Sequence, residues 1–401
     1  MRRVVFGCLV LLACDSGPQT FGPVVDGGAD AAPDAAPAED APSEATADDA
    51  PSDASDASAC SSTLAVLGGN ATTLFGAAGA PGSGLSAASL PGTLLDCGTA
   101  SGCANPIAVA RLASGLIAAF AASGGALEST LFSTSWADPA AVATASTIDG
   151  PSLATIGSVA HLLYQDASYK YFHAEYTGSA WDGANDPVGG SGSSQSFGAR
   201  APAVAAAATD LVAVQAGSDS YLYDQTWSGS WQAAHQQGSA AVQNTIPPSI
   251  VALSGGASEL LAAYLRVTDY KVMAVARTSG TWGTPMLIDT NAYSNDPLAV
   301  AALPGGKALI VFRGSDDKPY FTAWDGASTW TAPAAVLATG NPTVASTPSI
   351  APGVCGADAI VAWAESGGGV RYASFAGGSF GAPQAVAGTS GAKFVAVGTL
   401  P

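Results

Sequence analysis

Four places in the chain set an aromatic residue beside charged or amide groups. They are Tyr164-Gln165-Asp166, Tyr264-Leu265-Arg266 through Asp269, Phe312-Arg313-Gly314-Ser315-Asp316-Asp317 with Tyr320 just beyond, and Trp363-Ala364-Glu365. A flat ring offers a face to the C–H groups of a pyranose, and planar guanidinium, carboxylate or amide groups bind its hydroxyls. Tyr164, Asp166, Tyr264, Arg266, Arg313, Asp316, Tyr320, Trp363 and Glu365 are therefore the candidate ligand-binding residues, for a carbohydrate. A structural reading competes with this one: Gly, Ser and Asp make turns, and the rings fill space between packed sheets.

Other chemistries find less to work with. Glycoside hydrolysis needs two carboxylates facing across a sugar, and Glu128, Glu175, Glu259 and Glu365 are not paired by their spacing. An enzyme of the sialidase kind would need three converging arginines, whereas Arg111, Arg200, Arg266, Arg277, Arg313 and Arg371 are scattered. Gly377-Gly378-Ser379-Phe380-Gly381 matches a nucleophile elbow in letters, but no strand-to-helix turn surrounds it. His161, His173 and His235 stand apart in the sequence, and there is neither a CxxC pair nor a DxDxDG loop. No metal, other cofactor or catalytic set is expected.

The elements that must position these residues are short strands in a repeat. A proline beside a small apolar strand recurs at Pro106, Pro151, Pro202, Pro248, Pro297 and Pro348, in steps of 45, 51, 46, 49 and 51. A second marker, Trp136, Trp181, Trp231, Trp282, Trp330 and Phe380, keeps the same pace, in steps of 45, 50, 51, 48 and 50. Four strands read out of each unit, as PLAVAAL, KALIVFRG, KPYFTAWDG and TWTAPAAVL in the fifth. A period of roughly 50 residues built from short strands predicts the blades of a β-propeller. The first strand of each unit is rich in Ala, Ser and Val, as needed where blades converge on an axis. Six units are complete. AKFVAVGTLP at the C-terminal end reads as a lone first strand, and TLAVLGG, TTLFGAAG and GLSAASL near residue 60 read as strands two to four. Together they make a seventh blade, so an all-β propeller of seven four-stranded blades is expected over 59–401, with six as the alternative. The repeated Trp/Phe, at the start of the fourth strand, is expected to pack blades.

In unit five the string VFRGSDDKPYFTAWDGASTW resembles the repeat of bacterial β-propeller lectins, with Arg313, Gly314, Asp316 and Tyr320 at the motif positions. That resemblance implies sugar pockets repeated between blades. It is confined to one unit: units one and six have AASGG and AESGG, and unit three has AVQAGSDSYLY without the arginine.

At the other end, Met1-Arg2-Arg3 precedes ten uncharged residues and then Cys14, the pattern of a secretory signal too short to span a bilayer. Leu11-Leu12-Ala13-Cys14 resembles the bacterial lipobox, which implies a signal peptide over 1–13 and a diacylated Cys14. Residues 14–58 then form an acidic linker whose Ala, Pro, Asp, Glu and Ser composition is that of a disordered tether. The expected location is the bacterial cell envelope, at the outer membrane or cell surface in preference to the inner membrane, with the leaflet left open by Asp15. The net charge of −18 and the absence of a basic stripe exclude nucleic acid as a partner. Four further cysteines suggest disulfides, Cys60–Cys355 and Cys97–Cys103, with Cys60–Cys97 as the rival pairing. The function expected is a lipid-anchored recognition module for glycans. A sialidase-like hydrolase and a scaffold for an envelope protein are the alternatives.

Overall fold

The computed structural model describes residues 61–95, 105–182, 186–188, 198, 200–257 and 259–401. The expected signal peptide, the acidic linker and Cys14, Cys60, Cys97 and Cys103 lie outside them. All regular structure among the described residues is β, arranged as seven sheets that are the blades of a propeller.

Blades one to six take their innermost strands from Ile107–Leu112, Ser152–Ile156, Ala203–Ala207, Ser249–Ala252, Ala299–Leu303 and Ser349–Pro352. Each is followed outward by antiparallel neighbours in chain order. The second strands, such as Gly115–Ala121, Leu260–Leu265 and Ala359–Glu365, are buried almost throughout. This explains their unbroken apolar sequences, GLIAAFA, LLAAYL and AIVAWAE: a strand flanked by a blade on either side has no solvent face to leave polar.

The hydrophobic core is accordingly divided among the seven blade boundaries. Leu64 and Val66 of blade seven pack with Ile360 and Ala362 of blade six. Leu67 packs with Leu116 and Phe120 of blade one. Val212 and Tyr264 join blades three and four, and Ile310 with Ala263 joins four and five.

Around the axis each innermost strand touches those of both neighbours, and polar side chains stitch several junctions. Asn105 Nδ2 donates to the Val395 carbonyl at 2.6 Å, and the Val204 amide donates to Ser152 Oγ at 2.9 Å. Thr347 Oγ1 donates to the Pro297 carbonyl at 2.9 Å, and the Val397 amide to Ser349 Oγ at 3.1 Å. The strands enclose an axial cavity of about 260 Å³ lined by all seven, with no charged residue in its wall.

The ring closes with seven blades and not six. Phe394–Leu400 is the innermost strand of the seventh, paired residue by residue with Thr63–Gly69 from Phe394↔Gly69 to Leu400↔Thr63. Leu74–Gly79 and Ala88–Leu90 complete that blade. A second latch is less expected: Leu85–Ser86 crosses to blade six and pairs in parallel with its outer strand Gln384–Ala387.

Several outermost strands are short, down to Ala334–Ala335 in blade five, whereas those of blades one and three, Ala140–Ser146 and His235–Ala241, run to seven residues. In four blades a proline stands three residues after the repeated aromatic, at Pro139, Pro285, Pro333 and Pro383, where a missing N–H blunts an open edge. The aromatic series is packing, as expected. Trp136 lies 5.3 Å from Phe132 across the blade, and its Nε1 donates to the Val66 carbonyl of blade seven at 3.1 Å. Trp181 repeats the move, donating to Ser129 Oγ of blade one at 2.9 Å. Gly76 makes room: a Cβ there would stand 2.2 Å from the Trp136 ring.

Trp136→Ala is expected to cost about 3–5 kcal/mol, because it empties a buried site and removes a bond between blades. Urea unfolding at neutral pH measures it, and a loss no larger than that of an exposed substitution would contradict this packing.

Candidate functional site

In every blade the turn from strand two to strand three opens on one face, and the segment leading into that blade crosses over it. Backbone amides of Leu95, Ile148, Gly198, Gln243, Ala345 and Lys393 donate to the carbonyls of Ala121, Gln165, Ala216, Leu265, Ala364 and Gly69 at 2.8–3.2 Å. In blade five Ser294 Oγ takes over this role, donating to the Arg313 carbonyl at 2.7 Å. The seven acceptors are pseudo-sevenfold equivalents, so the rim is one repeated framework carrying different side chains.

The turns themselves share a geometry. In blade five the Asp317 amide donates to the Gly314 carbonyl at 3.0 Å and the Gly314 amide to the Lys318 carbonyl at 2.8 Å. This is a type I turn followed by one left-handed residue. Glycine fills that corner in blades one and six, with φ of 87° at Gly125 and 85° at Gly368. Blades two, three and five use Tyr169, Ser220 and Asp317 at φ near 60°. Blade four has one residue more, and Tyr270 takes the corner. The left-handed corner turns its side chain outward, and Tyr169 (53% exposed) and Tyr270 (37%) are among the most exposed large side chains.

Blade five brings together the residues expected from its sequence. Arg313 Nη1 meets Asp296 Oδ2 at 2.6 Å and its Nη2 meets Asp317 Oδ1 at 2.7 Å, so two carboxylates fix the guanidinium plane. Tyr320 donates its hydroxyl to Asp316 Oδ2 at 2.9 Å, while Asp316 Oδ1 accepts the Lys318 amide at 3.2 Å. Its ring stacks on Phe312, with centroids 6.0 Å apart, and folds over Gly314, where a Cβ would stand 2.7 Å from the ring. Burial, then the Asp316 carboxylate, pushes the Tyr320 phenol up from 10.0 to about 12. Ser315 Oγ reaches Tyr293 on the incoming segment at 3.2 Å, and Tyr293 bridges to Lys271 of blade four. Blade three repeats the ledge without the arginine: Tyr223 donates to Asp219 Oδ2 at 2.7 Å and lies over Gly217.

Arg266 of blade four binds Asp269 through two bonds, of 2.8 and 2.6 Å, and these hold the Asp269 carboxyl down at about 2. Asp166 accepts the Ser168 and Lys170 amides at 2.8 and 2.9 Å, so its first task is the turn. Glu365 accepts from Arg371 Nε at 2.8 Å. These residues sit on separate blades, at repeated stations of one rim.

Tyr164, Tyr264 and Trp363 are a correction. All three are at most 2% exposed, packed at the boundary with the preceding blade together with Phe120 and Phe312 at the equivalent positions. Burial also raises the phenol pKa of Tyr164, to about 12, and that of Tyr264. Their rings offer no face to a ligand, because strand two has a neighbour on each side. The aromatic faces that do reach the rim, Tyr169, Tyr270 and Tyr293, were missed; a tyrosine inside a turn, where small residues prevail, was the available signal.

Five arginines bind different carboxylates: Arg200 with Asp149, Arg266 with Asp269, Arg277 with Glu259, Arg313 with Asp296 and Asp317, and Arg371 with Glu365. That dispersal leaves the sialidase alternative without its central feature. One metal-ligating group forms among the described residues, His161, His173 and Glu175, toward the other end of blade two's strands. Cys355 lies in the turn between strands one and two of blade six, at φ 59°.

No family model and no curated protein matches the chain. Among solved structures it is similar to the BP39L lectin from Burkholderia pseudomallei, at 14% identity and a TM-score of 0.62, covering 81% of this chain and 95% of that one. The SapL1 lectin in complex with α-methyl fucoside follows at 16% identity and a TM-score of 0.51, covering 72% and 98%. AofleA from Arthrobotrys oligospora stands at 11% and 0.51, covering 75% and 90%. At these identities the likeness shows the fold: a β-propeller of the architecture that lectins also use.

Tyr320→Phe tests the ledge. With the folded phenol pKa above the unfolded one, its contribution is intact below pH 10.0 and lost as pH climbs toward about 12. The variant is expected to be less stable by about 1 kcal/mol or less at neutral pH, and the gap to close in alkali. Urea unfolding at neutral and alkaline pH reads both, and a gap independent of pH would contradict the assignment.

Proposed function

We propose that this chain is a lipid-anchored, envelope-exposed recognition module that binds carbohydrate at its strand-two to strand-three rim. The observation that carries the reading is the blade-five ledge. A guanidinium fixed by two carboxylates, a tyrosine folded over Gly314 and the neighbouring Tyr293 and Ser315 put planar polar groups beside aromatic faces. That is the chemistry a sugar hydroxyl and its C–H face require. Support comes from the motif Arg313, Gly314, Asp316 and Tyr320, and from the shared fold of lectins, one of them held with α-methyl fucoside. Blades two and four, with Tyr169 and Tyr270 at the turn corner, offer secondary stations of the same kind.

Binding of the purified chain to an immobilised glycan array is the direct test, with fucosides the first probes. Arg313→Ala is expected to weaken the strongest response about tenfold or more, through loss of charged hydrogen bonds. Silence of the folded protein across a broad array would overturn the reading.

Anchoring at Cys14 and the Cys60–Cys355 bond belong to the same proposal. Thr63 pairs with Leu400, and the adjacent Thr399 donates to the Pro352 carbonyl at 2.9 Å. In the sequence Cys60 stands three residues before Thr63, and Cys355 three beyond Pro352. Mass spectrometry of unreduced peptides from the native source is expected to give an acylated peptide beginning at Cys14 and a linked Cys60–Cys355 pair. An unmodified Cys14, or Cys60 joined to Cys97, would refute the respective part.

A further inference from the structure

Antiparallel register unites three residues of blade two that the sequence keeps apart. His161 on Val159–Gln165 stands directly across from Glu175 on Tyr171–Tyr176. His173, two residues before Glu175, shares its face of the sheet. His161 Nδ1 and His173 Nε2 are 3.1 Å apart, and Glu175 Oε1 lies 3.6 Å from the first and 4.0 Å from the second. A point equidistant from these three atoms lies about 2.1 Å from each, the bond length of zinc to an imidazole nitrogen or a carboxylate oxygen.

We propose that His161, His173 and Glu175 form a binding site for a divalent transition-metal ion of the zinc class. The competing arrangement, a hydrogen bond between two neutral imidazoles, accounts for the 3.1 Å separation alone. A central cation would engage all three atoms at one bond length. Both imidazoles are about 2% exposed, under Trp227 and Trp231 of blade three, whose rings lie 4.9–5.5 Å from them. A neutral imidazole offers one ring-nitrogen lone pair, at Nδ1 or Nε2 according to its tautomer. Two nitrogens and one oxygen suit zinc, copper or nickel, and not calcium or magnesium, which take shells of oxygen. Glu175, with 29% of its side chain exposed, is the side from which an ion arrives. Bound there, the ion would tie the middle strands of blade two together beneath the tryptophans of blade three. The site is independent of the carbohydrate reading.

The full chain, stripped with chelator and titrated calorimetrically with zinc chloride, is expected to take up one tight equivalent and to unfold at a higher temperature. Magnesium and calcium chloride should do neither. Glu175→Gln, at a partly exposed position, should weaken zinc about tenfold or more while leaving the circular dichroism unchanged. His161→Gln should abolish the tight site, and if that variant fails to fold, the Glu175 variant decides. Absence of zinc binding by the folded wild-type chain overturns the proposal, and so does undiminished tight binding by a folded Glu175→Gln variant.

Discussion

Each blade depends on having a neighbour on both sides, and a row of such blades is stable only if it returns to its start. Seven residue pairs between Thr63–Gly69 and Phe394–Leu400 make that return. They place Leu64 and Val66 against blade six, and Leu67 against blade one, filling the last two boundaries at once. No single blade owns a core; the apolar surface removed from water lies between sheets, so closure of the ring and burial are one event. The parallel pairing of Leu85–Ser86 with blade six reinforces the junction from the outer side.

This arrangement divides labour within each blade. Strand two places its aromatic residues at the boundary with the preceding blade, and the tryptophan or phenylalanine that follows strand three leans the same way. What remains for the rim is the turn and the segment crossing it. There the backbone bonds repeat around the ring while the side chains vary, from Gly125 and Gly368 to Tyr169 and Tyr270. Chemistry can change at the corner without disturbing the packing that holds the blades.

Much of the architecture was legible in the sequence, because a period near 50 and small residues beside each marker proline follow directly from radial packing. The shared blade was legible for the same reason: AKFVAVGTLP lacked partners that TLAVLGG and TTLFGAAG could supply. The direction of the aromatics was not. Alternation reveals a face only where one side of a strand meets water, and strand two meets none, so Tyr164, Tyr264 and Trp363 carried no sign of pointing inward. Arg313, Asp316 and Tyr320 could be read because a turn keeps them within eight residues. His161, His173 and Glu175 could not, since their meeting depends on cross-strand register, which the sequence leaves unstated until the turn is known.

The seventh blade also gives the molecule a polarity. Thr63 begins its second strand and Gly69 ends it, and Gly69 is the station equivalent to Arg313. Thr63 therefore lies on the side of the strand-one to strand-two turns, and the opposite surface carries Tyr270, Tyr293 and Tyr320. The patterned rim and the pair Thr63↔Leu400 thus lie at opposite ends of the blades, so side chains can vary at one without touching the other.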